Sequence, residues 1–187
     1  MAKNILVVTG SPRKHGNSAA LADAFSKGAE ACSATVHRFD AAFHKLSGCL
    51  ACDHCWQDSV HACVIPDDFN VFISALQRAD AVVFAYPLYW SGMPAQLKMV
   101  VDRLYSYCVP QCPGDLHGKL TANLLCCECE GDENFALVRK MHEGLNGYMH
   151  WQDAGEVAVH TCYAPGEILQ TDGPARAYAL GQRLAAD

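Results

Sequence analysis

The chain of 187 residues lacks any apolar run that approaches about 18 residues, the length that a membrane-spanning helix requires. Basic residues are not in excess, because 14 Lys and Arg stand against 20 Asp and Glu, which gives a net charge of -6. This balance argues against nucleic acid and anionic membranes as partners. No charged and apolar leader precedes the first predicted strand, so we expect a cytoplasmic protein.

Two common phosphate-binding motifs are absent from the first predicted turn. Gly10 and Gly16 enclose five residues instead of four, and no Lys-Ser/Thr pair follows them, so the turn is not a P-loop. It does not follow the G-x-G-x-x-G pattern either. A single terminal phosphate therefore fits this turn better than a triphosphate or a dinucleotide pyrophosphate.

The turn nevertheless has the composition of a phosphate site. It joins an apolar strand over 5–8 to an amphipathic helix, whose first N–H groups and positive dipole end attract anions. Ser11, Asn17 and Ser18 add side-chain donors, and Arg13 adds a fixed positive charge. The alternative is a turn that only caps its helix, which requires fewer donors.

Strand and helix patterns alternate along the whole chain, with strands predicted at 5–8, 34–39, 81–86, 120–127 and 156–162. This alternation predicts an α/β fold with a doubly wound, five-stranded parallel sheet in a three-layer α/β/α arrangement. We expect one domain over residues 1–187. Ligands of such sheets bind at the carboxyl ends of the strands, which here lead into the loops 9–18, 86–93 and 128–133.

The second of these loops is aromatic and rich in turn formers, with the sequence Y-P-L-Y-W-S-G-M-P from Tyr86 to Pro94. Bulky rings at a ligand-binding edge favour a flat apolar ligand. The alternative is that the rings face inward and pack in the core. A phosphate site beside a flat apolar slot indicates FMN.

Three segments resemble the flavodoxin-like NAD(P)H-dependent FMN reductases and their iron–sulfur flavoprotein relatives. They are G-S-P-R-K-H-G-N-S at 10–18, Y-P-L-Y-W-S-G-M-P-A-Q-L-K at 86–98 and V-D-R-L at 101–104. The resemblance implies that the FMN phosphate lies on Ser11, Arg13, Asn17, Ser18 and Ala19. It implies that the isoalloxazine lies against Pro87, Leu88, Tyr89, Trp90, Ser91 and Gly92.

A cysteine motif, C-x2-C-x2-C-x7-C, occupies the loop after the second strand and comprises Cys49, Cys52, Cys55 and Cys63. The x2 spacing is typical of cysteines that ligate a 4Fe–4S cluster. The iron–sulfur flavoproteins carry such a motif, whereas related flavin reductases keep these cysteines without a cluster. A cluster, a tetrahedral zinc ion and free thiols all remain open at this point.

The function that we expect is the transfer of electrons from NAD(P)H through bound FMN to a quinone, a flavin or a similar small-molecule acceptor. The flavin carries the chemistry, so no side chain is expected to be catalytic. The alternative is an iron–sulfur flavoprotein that acts as an electron carrier. As a further partner we expect other copies of the chain, in a dimer or tetramer. Lys98 and Asp102 are predicted to form a helical i, i+4 ion pair.

Overall fold

The computed structural model describes residues 2–57, 63–108 and 116–186, and within these ranges five strands alternate with five α-helices. The strands are β1 (Asn4–Thr9), β2 (Thr35–Asp40), β3 (Ala81–Pro87), β4 (Leu120–Cys126) and β5 (Gln152–Val159). The helices are α1 (Asn17–Ala31), α2 (Phe69–Arg78), α3 (Ala95–Arg103), α4 (Ala136–Met149) and α5 (Gly173–Ala186). No helix in the described ranges is both long and apolar enough to cross a bilayer.

The five strands form one parallel sheet in the order β2-β1-β3-β4-β5. The central register places Val7 beside Val83 and Ala85 beside Leu124. Both predictions, the doubly wound sheet and the flavodoxin-like α/β fold, are confirmed. After β1 the chain adds β2 on one side, and it then adds β3, β4 and β5 on the other side of β1. Ligands of such sheets bind where this strand order switches, which here is between β1 and β3.

Helices cover both faces of the sheet and make it the middle of three layers. On one face, Phe25 of α1 and Leu180 of α5 pack in one buried cluster with Val7. On the other, Phe72 of α2 and Leu97 of α3 pack in a second cluster, which extends to α4. Successive strand residues point to opposite faces, so strands buried on both sides must be apolar throughout.

The last strand begins and ends earlier than its predicted range of 156–162. β5 spans Gln152–Val159, and its first four residues, Q-D-A-G, include two polar residues and a glycine, which is a composition typical of a loop. An edge strand pairs on one side only and tolerates such residues because they face solvent. Gly155, at φ +123°, lies at an irregularity in the register with β4.

A buried hydrogen bond joins the end of β3 to α4. The hydroxyl oxygen of Tyr86 lies 2.7 Å from Nε2 of His142, and both side chains are enclosed. Burial lowers the pKa of His142 to about 4, so the ring is neutral near pH 7. His142 thus packs in the core between β3 and α4.

Helices α1 and α5 cross at two glycines. A Cβ atom on Gly181 would overlap the carbonyl oxygen of Phe25, and one on Gly28 would overlap that of Tyr178. The obstructing atoms are backbone atoms, which cannot rotate away. The close approach of α1 to α5 therefore requires glycine at both positions.

Replacing Gly181 with alanine should lower the free energy of unfolding by about 1–3 kcal/mol, because the methyl group forces the helices apart. Gly144→Ala is the matched control, since Gly144 lies in α4 with no atom within 4 Å of its would-be Cβ. That change should raise stability by about 0.5–1 kcal/mol through helix propensity. Urea unfolding of the two variants measures both effects, and equal stabilities would contradict this account of the helix crossing.

Candidate functional site

The turn between β1 and α1 brings several donors to the carboxyl edge of the sheet. Helix α1 begins after Gly16, and its first backbone N–H groups have no acceptor within the helix. Ser18 is buried, and its hydroxyl oxygen has no hydrogen-bond partner. An unsatisfied buried hydroxyl at a helix N-terminus is costly unless a ligand fills the space. This end of the helix thus has the donors that an anion requires.

Gly10 allows close packing at the turn. A Cβ atom there would lie 2.9 Å from Cβ of Leu97 and 3.1 Å from Cβ of Tyr86. Its N–H donates to the carbonyl of Ala85 at 3.0 Å. The glycine therefore lets α3 and β3 pack against the turn.

The side chain of Asn17 forms hydrogen bonds with the backbone of the loop after β5. Its Oδ1 accepts from the N–H of Gly166 at 2.9 Å and of Ile168 at 3.4 Å, and its Nδ2 donates to the carbonyl of Ala164 at 3.0 Å. The amide thereby holds the loop after β5 against the start of α1. These contacts use only one of the two hydrogens on Nδ2, so the role of Asn17 as a side-chain donor to a phosphate stays a prediction.

Arg13 is exposed on the outer side of the same turn. Its Nη1 donates to the carbonyl of Tyr163 at 3.4 Å, in the same loop after β5 that Asn17 contacts. The backbone N–H of Arg13 donates to the hydroxyl of Ser11 at 3.1 Å. A long contact to a neutral carbonyl leaves the guanidinium free to prefer an anion.

A cavity of about 650 Å³ runs from this turn to the aromatic loop. All of the predicted flavin-binding residues line it except Ala19 and Gly92. Ala19 is buried in the first turn of α1. Gly92 is hydrogen-bonded to Tyr89 through the backbone, in the turn of the aromatic loop. The lining also includes residues outside the predicted set, namely Gly16, Cys126, Cys127, Glu128, Cys129, Asn134, Cys162 and Tyr163.

The aromatic loop is a tight turn with strained backbone. Tyr89 and Gly92 exchange two backbone hydrogen bonds of 3.0 Å. Between them, Trp90 at φ +51° and Ser91 at φ +58° both adopt the left-handed region, which is rare for bulky residues. The Trp90 side chain is fully exposed at the mouth of the cavity. Strain and an exposed indole at one position indicate a functional loop.

Three of the thiols in the cavity wall, Cys126, Cys127 and Cys162, are poor nucleophiles. Burial, with smaller contributions from the nearby Cys162 and Cys127, raises the pKa of Cys126 to about 12, although a hydrogen bond from the Ser18 backbone N–H acts in the opposite direction. Burial also raises the pKa of Cys127 and of Cys162. These thiols stay protonated near pH 7, so they contribute a small apolar surface instead of a reactive group.

The four motif cysteines line a second cavity, of about 220 Å³, together with Arg103 and Tyr105. The pKa of Cys55 is raised, first by burial and then by the proximity of Cys63, Cys52 and Cys49. Among the described residues, no three His, Cys, Asp or Glu side chains have the arrangement that holds a single metal ion. A cluster, a zinc ion and free thiols therefore all stay predictions for this loop.

Arg103 is the residue that sequence reasoning missed. The predicted Lys98–Asp102 ion pair is present on the exposed face of α3, but Arg103 beside it is buried and pairs with Asp67 at 2.7 Å. Its guanidinium lies 4.1 Å from the centre of the Phe69 ring. One signal was available, because Arg103 follows the buried Val100 by three residues and so falls near the apolar stripe of α3.

The fold is that of the flavodoxin-like class, and the larger of the two cavities described here lies at the switch between β1 and β3. The family model described as NADPH-dependent FMN reductase matches residues 3–162. The chain belongs to that family of flavin-dependent oxidoreductases.

Curated relatives with similar sequence are iron–sulfur flavoproteins. The chain is 32% identical over 100 residues to one from Archaeoglobus fulgidus, which covers 54% of this chain and 44% of that protein. It is 34% identical over 101 residues to one from Methanosarcina thermophila, which covers 51% and 49%. The chain thus spans about half the length of the curated relatives that it matches.

Solved structures with the same fold cover the chain almost completely. An NAD(P)H:quinone oxidoreductase from Methanothermobacter marburgensis has a TM-score of 0.73 at 20% identity and covers 98% of each chain. An azoreductase from Bacillus anthracis has a TM-score of 0.73 at 20% identity and covers 97% of this chain and 99% of its own. At 20% identity, this similarity shows that the chain shares their fold, and it shows nothing beyond the fold.

Replacing Asp67 with asparagine should lower the free energy of unfolding by about 3–5 kcal/mol near pH 7, because Arg103 is left buried without its counter-charge. Burial alone would raise the pKa of Asp67, but hydrogen bonds from Arg103, Phe69 and Ser47 lower it below its ordinary value of 3.8. A lowered pKa stabilises the fold above the unfolded value and is lost as pH falls through the folded one. The difference between wild type and variant, measured by urea unfolding, should therefore shrink below about pH 4.

The matched control for this experiment is Asp102→Asn, which removes an exposed carboxylate from the neighbouring position of α3. Exposed ion pairs contribute about 0–1 kcal/mol, so this variant should unfold almost like wild type. If Asp67→Asn and Asp102→Asn unfold alike, the buried pair does not stabilise the fold.

Proposed function

We propose that the protein is an FMN-dependent oxidoreductase that takes electrons from NAD(P)H and passes them to a small-molecule acceptor. Quinones, free flavins, and nitro or azo compounds are the acceptor classes that we consider. The observation that carries this proposal is the single cavity that joins the donors of α1 to the strained aromatic loop. Its two ends match the two chemically distinct ends of FMN, an anionic phosphate and a flat apolar ring.

The phosphate end of the cavity fits the charge of FMN. The Ser18 hydroxyl, the first-turn amides of α1 and the Arg13 guanidinium are the groups that we assign to the phosphate. All are donors, and the hydroxyl and amides lie at the positive end of the helix dipole. A dianion at this position would satisfy the buried Ser18 hydroxyl.

The aromatic end fits the ring system. We assign the isoalloxazine to the wall formed by Pro87, Leu88, Tyr89, Trp90 and Ser91, which lies at the carboxyl end of β3. When bound, FMN supplies hydride and single-electron chemistry. The chain binds the ring, orients it and shields one side from water with its apolar wall, and we assign no side chain an acid, base or nucleophile role.

We further propose that residues 1–187 form one FMN-binding domain that works as a dimer or tetramer. All five described strands belong to one sheet, which supports a single domain. A second copy would cover Trp90, whose indole is otherwise fully exposed.

The proposal predicts that the purified chain binds FMN more tightly than riboflavin and, once loaded, oxidises NADPH or NADH in the presence of a quinone. The preference for FMN follows from charge-assisted bonds, each of which contributes about 1.5–3 kcal/mol. Fluorescence titration measures the two affinities, and loss of nicotinamide absorbance measures turnover. Equal affinities would contradict the phosphate assignment, and absence of turnover with every acceptor class would contradict the reductase function.

Arg13→Ala should weaken FMN binding by roughly ten- to a hundredfold while leaving riboflavin binding unchanged, since one charge-assisted bond is lost. Lys14→Ala is the matched control, because Lys14 carries the same charge on the next residue but lies over the Phe43 ring, outside the cavity lining. If both variants weaken FMN equally, net charge and not the Arg13 contact is responsible.

A second candidate function is that of an iron–sulfur flavoprotein that carries electrons. The specific observation in its favour is the convergence of Cys49, Cys52, Cys55 and Cys63 on one cavity. Four cysteine sulfurs on one small cavity are the ligand set that a 4Fe–4S cluster takes.

For this candidate we expect anaerobic purification to yield about four irons and matching sulfide per chain, which Cys52→Ser loses. Cys32→Ser is the control, because Cys32 is an exposed thiol at the end of α1. Iron and sulfide assays with the visible spectrum measure the outcome. A metal-free protein that still oxidises NADPH would contradict the electron-carrier function and support the reductase function.

A further inference from the structure

Arg103 joins the cysteine loop, here residues 47–57 and 63–67, to helix α3. Its Nη2 lies 3.3 Å from the sulfur of Cys63 and 3.4 Å from the carbonyl of Ile65. Its Nη1 donates to both carboxylate oxygens of Asp67, at 2.7 and 2.8 Å, and to the carbonyl of Ser47 at 3.3 Å. One guanidinium thus contacts both ends of the loop.

The two terminal nitrogens of Arg103 bind different partners. Nη1 is held by Asp67, which itself accepts from the N–H groups of Ser47 and Phe69. That orientation leaves Nη2 directed at Cys63. A lysine has one nitrogen and cannot serve both positions, because only a guanidinium presents donors in a fixed planar fork.

We propose that Arg103 is the positioning residue of the cysteine cavity, holding Cys63 in place and donating a charge-assisted N–H···S hydrogen bond to its sulfur. The inference rests on the second candidate function, in which that sulfur is a cluster ligand. Hydrogen bonds to ligand sulfurs raise the reduction potential of a cluster and help to retain it. Asp67 has the complementary role of holding the guanidinium.

This arrangement also links the flavin cavity to the cysteine cavity. Helix α3 begins at Ala95, directly after the aromatic loop, and ends at Arg103 in the wall of the cysteine cavity. Arg103 does not line the flavin cavity. Replacing Arg103 should therefore leave the phosphate end of that cavity unchanged.

The test uses FMN-loaded protein reconstituted anaerobically with ferrous iron and sulfide. Arg103→Lys keeps the charge beside Asp67 but removes the donor to Cys63, and Asp102→Asn is the control on the same helix. We expect Arg103→Lys to lose iron to a chelator about 10- to 100-fold faster than wild type, with a more negative cluster potential in an EPR-monitored titration. The FMN affinity of the variant should equal that of wild type, and Asp102→Asn should match wild type in all three readouts.

A wild-type rate of iron loss and a wild-type potential in Arg103→Lys would overturn the inference while leaving the cluster in place. A wild-type chain that takes up no iron would remove the second candidate function and the inference with it, and FMN binding would still report on the reductase function. If Arg103→Lys does not fold, Asp67→Asn with Arg103→Gln removes both buried charges together, which proteins tolerate better than losing one. The same comparison of iron loss and potential then decides.

Discussion

Parallel pairing of β1 with β3 is the constraint on which the site depends. Right-handed crossovers send the chain to one face of the sheet after β1 and to the other face after β3. The two loops that leave these strands therefore separate, and a cavity opens between them at the carboxyl edge. The donors of the first turn and the rings of the second loop meet there, although some 70 residues apart in the chain, because their strands are neighbours.

The flavin cavity contains two features that are unfavourable in a folded protein. Ser18 keeps a buried hydroxyl without a partner, and Trp90 adopts a backbone conformation that suits glycine. Each feature costs stability by itself, and the surrounding sheet and helices hold it in place. Both features lie on one cavity, which is the reason for assigning a ligand to it.

The cysteine loop poses the opposite problem, because little regular structure supports it. Among its described residues only a short 3-10 helix at His54–Trp56 is regular. Its position depends on polar contacts, chiefly those of Arg103 and Asp67. A buried ion pair is weak evidence for stability, since desolvation offsets much of its attraction. Its value here lies in geometry, because a guanidinium fixes several chain segments at defined directions.

The sequence by itself determined the order of the elements, the parallel sheet, the turn at 9–18 and the aromatic loop. Apolar periodicity and turn chemistry are local properties, and a run of neighbouring residues is enough to express them. The tertiary structure decided the rest: that Asn17 holds the loop after β5, that Cys162 and Tyr163 line the cavity, and that Arg103 is buried. These facts depend on contacts between residues far apart in the chain, such as Asn17 with Gly166 and Arg103 with Asp67. No local pattern encodes them, because which side chains meet is settled only when strands and helices pack together.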